Sequence, residues 1–189
     1  MHPHLIAEHF TLRPLRRADA PELTEACQDP EVLRWCASIP LNYTEQDALG
    51  FIEYTQDAGK RGAEYVWAID YSGVLAGVVT LRCATPDTAE LGFWATPTLR
   101  GRGIITEACH LVLGFVFDPA GLSLESVEWT AIYGNDTSYR VAQKLGFSDI
   151  EFIENGTPDR PDVAGVPRRA DAWHASMTRE QWLDANFRV

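Results

Sequence analysis

Leu99-Arg-Gly-Arg-Gly-Ile-Ile-Thr-Glu-Ala108 is the stretch whose residue types and spacing most directly suggest chemistry. It follows a strand pattern and opens a helix pattern. Two glycines let successive backbone N–H groups turn inward together, and the first helical turn adds unpaired donors and the positive end of the helix dipole, so the place suits a phosphate. Arg100 and Arg102 add positive charge in an otherwise acidic chain. A plain loop-to-helix corner with exposed arginines is the alternative. A nucleoside-triphosphate loop needs Lys and Ser/Thr after its last glycine, where this chain has Ile104 and Ile105. A dinucleotide fingerprint needs a third glycine where Thr106 stands. A nucleotide-binding regulatory protein is therefore disfavoured, and a diphosphate-bearing carrier such as coenzyme A remains.

A second constellation runs from Tyr133 to Phe147, where a strand pattern ends and Asn135 and Ser138 stand at a helix start that closes at Gly146. Both residues suit capping of the helix start. The elements that must position these groups can be read from periodicity. Phe10–Leu15 alternates as an opening strand, with Pro14 suggesting a sheet edge. Helices follow over Asp19–Cys27, from Asp29-Pro30 through Trp35, and from the Thr44–Asp47 cap to Gly59 or Gly62. Glu64–Asp70, Val74–Arg82 and Thr88–Ala95 read as an antiparallel meander. A helix over Gly101–Phe117, a strand over Val127–Ile132, a helix over Asp136–Leu145 and a strand over Phe147–Ile153 come next. This order makes the strands flanking the Gly101 helix parallel neighbours. Asn155–Arg169, with three prolines and two glycines, reads as a long loop. Ala172–Met177 is a last strand, and Thr178–Gln181 caps a final helix. The sum is an α/β (α+β) fold, a mixed, mostly antiparallel sheet with helices on both faces, in one domain spanning 1–189.

Composition narrows the class. With 46% apolar and 23% charged residues in 189, the chain is an ordinary globular one. The 27 acidic residues outnumber the 16 basic ones, giving a net charge of −11, which argues against nucleic acid as a partner. Cys27, Cys36, Cys83 and Cys109 lie far apart without zinc-ligand spacing, so they read as reduced thiols, and no metal site is expected. No apolar run reaches the roughly 20 residues of a membrane span, and none near the start has signal-peptide length. A cytoplasmic protein, with no membrane partner, is expected.

Three separated motifs together carry a resemblance. Glu90-Leu-Gly-Phe-Trp94, Arg100-Gly-Arg-Gly103 with Thr106-Glu-Ala108, and Asn135-x-x-Ser138 with Val141-Ala142-x-Lys-Leu-Gly-Phe147 are similar to the GNAT acyltransferase superfamily, most of all its RimJ/RimL branch. Arg168–Ser176 resembles the closing strand of that branch. The likeness covers about residues 10–183. Thr98 stands where the superfamily usually has Gln or Arg, and Ala142 where many members carry a tyrosine. In the RimJ/RimL pattern a serine at the place of Ser138 substitutes for that tyrosine.

The resemblance implies a parallel strand pair, Thr88–Ala95 and Val127–Ile132, splayed at its C-terminal ends to admit acetyl-CoA. Backbone groups near Phe93, Trp94 and Ala95 would pair with the pantetheine amides. Arg100, Gly101, Arg102, Gly103, Ile104 and Ile105 would take the diphosphate. It implies transfer of an acetyl group to a primary amine, a protein N-terminal α-amine or a small amine, by direct attack. Glu90 is then the candidate base, Ser138 the donor to the departing thiolate, and Asn135 the residue orienting sulfur or pantetheine. Trp35, Tyr43, the Ser38–Tyr43 loop, the Asn155–Arg169 loop and His174 are candidates for the acceptor side. A non-catalytic acyl-CoA-binding or sensor module of the same fold is the competing expectation. The expected assembly is a monomer or homodimer.

Overall fold

The computed structural model describes residues 2–187. Among them, eight strands and six α-helices follow one another as β1 (Leu5–Ile6), β2 (Thr11–Pro14), α1 (Ala20–Cys27), α2 (Pro30–Trp35), α3 (Glu45–Arg61), β3 (Glu64–Tyr71), β4 (Val74–Cys83), β5 (Thr88–Ala95), α4 (Ile104–Phe117), β6 (Ser126–Ile132), α5 (Asp136–Leu145), β7 (Glu151–Asp159), β8 (Arg168–Thr178) and α6 (Arg179–Phe187). The strands form one sheet in the order β1-β2-β3-β4-β5-β6-β8-β7. The β5–β6 pair is parallel and the other neighbouring pairs are antiparallel. No helix among the described residues is long and apolar enough to cross a membrane.

Local chemistry explains where the helices begin and end. Asp29 accepts from the Val32 amide at 3.0 Å and caps α2. Thr44 and Asp47 form a reciprocal capping box on α3, which stops at Gly62 with φ +68°. Thr178 and Gln181 bond each other's backbone amides at the start of α6. Strand alternation then sorts the core into two layers. Trp67, Leu81, Leu91 and Trp129 pack against α4, α5 and α6, while Val66, Ala68 and Val78 pack against α1 and α3. On the α1/α3 face, the strands beyond β4 carry polar residues instead: Glu90, Glu128, Thr130, His174 and Ser176.

Three expectations need correction. Pro14 does not mark a sheet edge, because the two-residue β1 pairs outside β2. That pairing reaches only Thr11 and Leu12, so Pro14 lies beyond it and its missing N–H costs no bond there. The helix expected from Gly101 begins at Ile104, since Gly101 and Gly103 both take positive φ. The segment expected as a long loop is mostly a β-hairpin. β7 runs through Thr157-Pro158-Asp159 with a register shift between Ile153 and Thr157. A bulge hides the period-two signal that a regular strand would display, and Pro158 is tolerated because β7 lies at the sheet edge.

Candidate active site

The site is made by a split in the sheet. The β5–β6 ladder holds from Thr88/Ser126 to Leu91/Trp129 and then stops. β5 stays paired with β4 as far as Ala95, and β6 with β8 as far as Ile132, so the two strands part company while each remains anchored. The Ala84 amide donates to Thr88 O at 3.0 Å and the Thr96 amide to Ala76 O at 2.9 Å. Even-numbered residues of β5 thus aim their backbone groups at β4, and alternation turns those of Phe93 and Ala95 into the gap. A cleft of about 510 Å³ occupies the gap and continues to both faces of the sheet. Gly92 keeps β4 and β5 close beside it, since a Cβ there would come within 2.6 Å of Thr80 Oγ1.

On the α4/α5 face, the cleft is bounded by the glycine turn and the start of α4. Gly101 and Gly103 have φ of +74° and +79°, and a Cβ on either would meet no atom within 4 Å. Gly103 is the N-cap of α4, and no side chain caps that end. The free N–H groups and the helix dipole therefore face a lined cavity without a competing acceptor. Arg100 is occupied elsewhere: its guanidinium pairs with Asp29, and its Nε donates to Ala95 O at 3.2 Å. Burial pushes the Asp29 carboxyl up, but hydrogen bonds from Arg100 and the Val32 amide outweigh it, so its carboxyl titrates below the usual carboxylate range.

The opposite wall on this face comes from α5. Asn135 accepts from the Ser138 amide at 3.2 Å and so starts the helix. Ser138 is 9% exposed and accepts from Trp129 Nε1 at 3.2 Å. That bond uses a lone pair, leaving the hydroxyl proton available to a group in the cleft. Arg140 and Lys144, four residues apart on one helix face, also line the cavity. Sequence reasoning missed this pair, although the i,i+4 spacing of two cations was there to be read.

On the opposite face the cleft meets α2. Trp35 and Cys36 line it, and the Trp35 ring stands over the β6–α5 turn, where a Cβ on Gly134 would lie 3.9 Å from it. Burial pushes the Cys36 thiol up to about 11, with Arg160 offsetting only part of that, so it is a neutral thiol rather than a nucleophile at neutral pH. Arg160, just past the end of β7, holds this wall in place. Its guanidinium donates to Leu33 O at 2.6 Å, to Cys36 O at 3.0 Å and to Ile39 O, which satisfies carbonyls at the end of α2.

Phe93, Trp94, Ala95, Arg100, Gly101, Gly103, Ile104, Ile105, Asn135, Ser138 and Trp35 all line this one cleft. Four expected site residues do not. Arg102 is exposed outside it. Tyr43 is a core residue at 6% exposure, packed with α1 and α3, because the loop carrying it folds under the helices rather than over the cleft. Glu90 is directly opposite Arg82 on β4 and accepts from it, so the ion pair holds its carboxylate on the sheet surface. His174 is one strand behind the cleft, with Nδ1 3.2 Å from Thr130 Oγ1. Thr130, which does line the cleft, is another residue the sequence reading missed.

The chain matches the family model described as an acetyltransferase (GNAT) domain over residues 9–148. It is 31% identical over 184 residues to the Bacillus subtilis (strain 168) protein named "Putative ribosomal N-acetyltransferase YdaF", covering 94% of this chain and 95% of that one. Among solved structures, the microcin C7 self immunity acetyltransferase MccE, in complex with acetyl-CoA and AMP, aligns with a TM-score of 0.78 at 21% identity over 91% of this chain and 93% of that one. RimL, a ribosomal L7/L12 alpha-N-protein acetyltransferase in complex with coenzyme A, aligns with a TM-score of 0.80 at 14% identity over 93% and 98% of the two chains. These last two likenesses are of fold. The family match across most of the sequence agrees with the split sheet and its glycine turn, and the chain belongs to the GNAT acetyltransferase family.

Proposed function

We propose that the protein transfers the acetyl group of acetyl-CoA to a primary amine, with an N-terminal α-amine of a protein as the favoured acceptor class. The observation that carries this reading is the cleft that passes through the sheet. An anion cradle bounds it on one face and an aromatic wall on the other, so two substrates can meet in the gap from opposite sides. The residues present fit coenzyme A. The uncapped amides of the Gly101–Ile105 turn suit the diphosphate, and the backbone of Phe93 and Ala95 suits the pantetheine amides. Arg140 and Lys144 suit the remaining phosphate. Bound there, the thioester supplies an activated acyl carbon. The Phe93 N–H then offers a donor where negative charge grows on the thioester oxygen.

Direct attack is favoured over an acyl-enzyme, since Cys36 is held neutral by burial. An α-amine suits direct attack better than a lysine amine, because a group titrating near 7.7–8.0 is partly neutral at physiological pH and one near 10.4 is not. The B. subtilis relative, named as a ribosomal N-acetyltransferase, and the fold neighbour named as an alpha-N-protein acetyltransferase point to the same class. The test is thiol release from acetyl-CoA with a panel of serine- and alanine-initiated peptides, spermidine and free lysine. Acceptor-dependent release with the peptides leading is expected, and no release above hydrolysis with any of them would overturn the reading.

Two substitutions probe the two sides of the cleft. Ser138→Ala is expected to lower kcat by roughly tenfold to a hundredfold, since the thiolate loses its proton donor, while coenzyme A affinity by calorimetry stays within about twofold. It also leaves Trp129 Nε1 without an acceptor, so a loss of about 1–3 kcal/mol should register in a denaturant titration. Arg160→Ala frees the end of α2 from its clamp. Acceptor KM is expected to rise about tenfold with coenzyme A affinity unchanged, because the charged donors it loses bond only the acceptor-side wall.

A further inference from the structure

We infer that Thr130 and His174 form the proton relay of this site, Thr130 as the group facing the attacking amine and His174 as the positioning residue that receives its proton. The inference rests on the acetyltransferase reading above and names the base within it. Thr130 is the first residue of β6 past the last paired residue, Trp129, so it sits where the gap opens, and it lines the cleft. Its side chain is on the face that carries Trp35 and Cys36, where the acceptor enters, and its Oγ1 is 3.2 Å from His174 Nδ1 on the neighbouring strand.

Other titratable groups near this face are committed. Glu90 is paired with Arg82, outside the cleft. Glu31 accepts from Trp35 Nε1 at 3.2 Å and lies 3.8 Å from Arg34. Cys36 is a buried neutral thiol. Two carboxylate residues share the sheet face of His174. Glu151 on β7 is its register partner, and Glu128 on β6 lies two residues from Thr130 on the same face. Ser176 is the next residue of β8 on that face. No Lys or Arg is a register partner of Thr130 or His174 on β6, β7 or β8.

With its ring proton on Nε2, His174 accepts at Nδ1 from the Thr130 hydroxyl. As the amine nitrogen forms its bond to the thioester carbon, the C–S bond breaks and the thiolate leaves. The surplus proton on nitrogen passes to Thr130 Oγ1, while the Thr130 proton passes to His174 Nδ1. The thiolate takes up a proton at sulfur from Ser138, which regains one from solvent, and the imidazolium returns its proton to solvent. Amine and acetyl-CoA thus become amide and free thiol, with no net proton gained or lost.

The test measures kcat against pH for the full chain, with a serine-initiated decapeptide and with spermidine as acceptors. A limb set by the amine moves between them, and a limb common to both belongs to the enzyme. A common acid limb is expected in the wild type, since the base accepts only when neutral. His174→Gln and Thr130→Val are each expected to abolish that limb and lower kcat by roughly a hundredfold, the double variant losing little more than either, with the KM for acetyl-CoA unchanged. Thr130→Ser, which keeps the hydroxyl, should recover most of the loss. Retention of the limb in His174→Gln, its disappearance in Glu90→Gln or Glu31→Gln instead, its absence from the wild type, or a Thr130→Ser variant as impaired as Thr130→Val would each overturn the relay while turnover still upholds the transferase. Absence of turnover by the wild type with any acceptor would overturn both.

Discussion

Gly103→Val is expected to weaken coenzyme A binding by roughly a hundredfold or more, and Gly101→Val to do nearly as much, because each carries a side chain into the place where backbone amides must approach a diphosphate. The two glycines have φ of +74° and +79°, a region that a β-branched residue enters only with strain, so valine also rotates the neighbouring N–H groups away. Folding should survive. A Cβ at either position meets no atom within 4 Å, so the cost is one of backbone strain, about 1–3 kcal/mol against a typical stability of 5–15 kcal/mol. Calorimetric titration with coenzyme A, paired with a thermal melt of each variant, separates the two effects. Wild-type affinity in both variants would place the diphosphate elsewhere.

The largest loss of stability is expected far from the cleft, at Arg13→Ala. The Arg13 side chain, 8% exposed, donates twice to Asp19 at 2.8 Å and from Nε to Asp70 at 2.7 Å. Asp19 also accepts from the Arg16 amide at 2.7 Å and Asp70 from the Gly73 amide at 2.9 Å, so the cluster ties the entry to α1 to the β3–β4 turn. Removing the cation leaves a buried carboxylate without its counter-ion, a change that typically costs 3–5 kcal/mol and here corresponds to a fall in Tm of roughly 10 °C. The pH dependence follows from Asp70. Burial pushes its carboxyl up, but the hydrogen bond and charge of Arg13, with the Gly73 amide and Arg16, carry it below the ordinary carboxylate range. A carboxyl lowered by folding contributes its full stability above its unfolded value, near 3.9, and loses it as pH falls through the lower folded value. Denaturant titrations from pH 7 to pH 2 should therefore show wild-type stability falling away below about pH 4. In Arg13→Ala the curve starts lower and that acid step shrinks. An undiminished step would mean that Asp70 owes its acidity to the Gly73 amide and Arg16 rather than to Arg13.

Much of the frame was legible in the residues themselves because the signals were local. The Thr44–Asp47 box, the Asn135 cap, the glycine that ends α5 and the glycine turn before α4 depend on groups within a few residues of one another. The parallel pairing of β5 with β6 follows from strand, helix and strand in sequence and the handedness of the crossover. The Leu91/Trp129 boundary of the split is different, since it depends on β4 and β8 each holding their own strand to the end.

What only the tertiary structure decided was which side chains are neighbours across strands and which are already taken. Glu90 reads as a base until the register sets Arg82 opposite it. Arg100 reads as a free cation until Asp29, 71 residues away in the chain, claims it. Thr130 carried no signal, and Arg160 none beyond its place in the segment expected on the acceptor side, because their roles depend on carbonyls and an imidazole brought up by distant elements. Register has a period of two, and a slip of one residue exchanges every facing partner. Caps and turns are specified by residues adjacent along the chain, whereas the occupancy of a charged or polar side chain is fixed only when the whole sheet has closed.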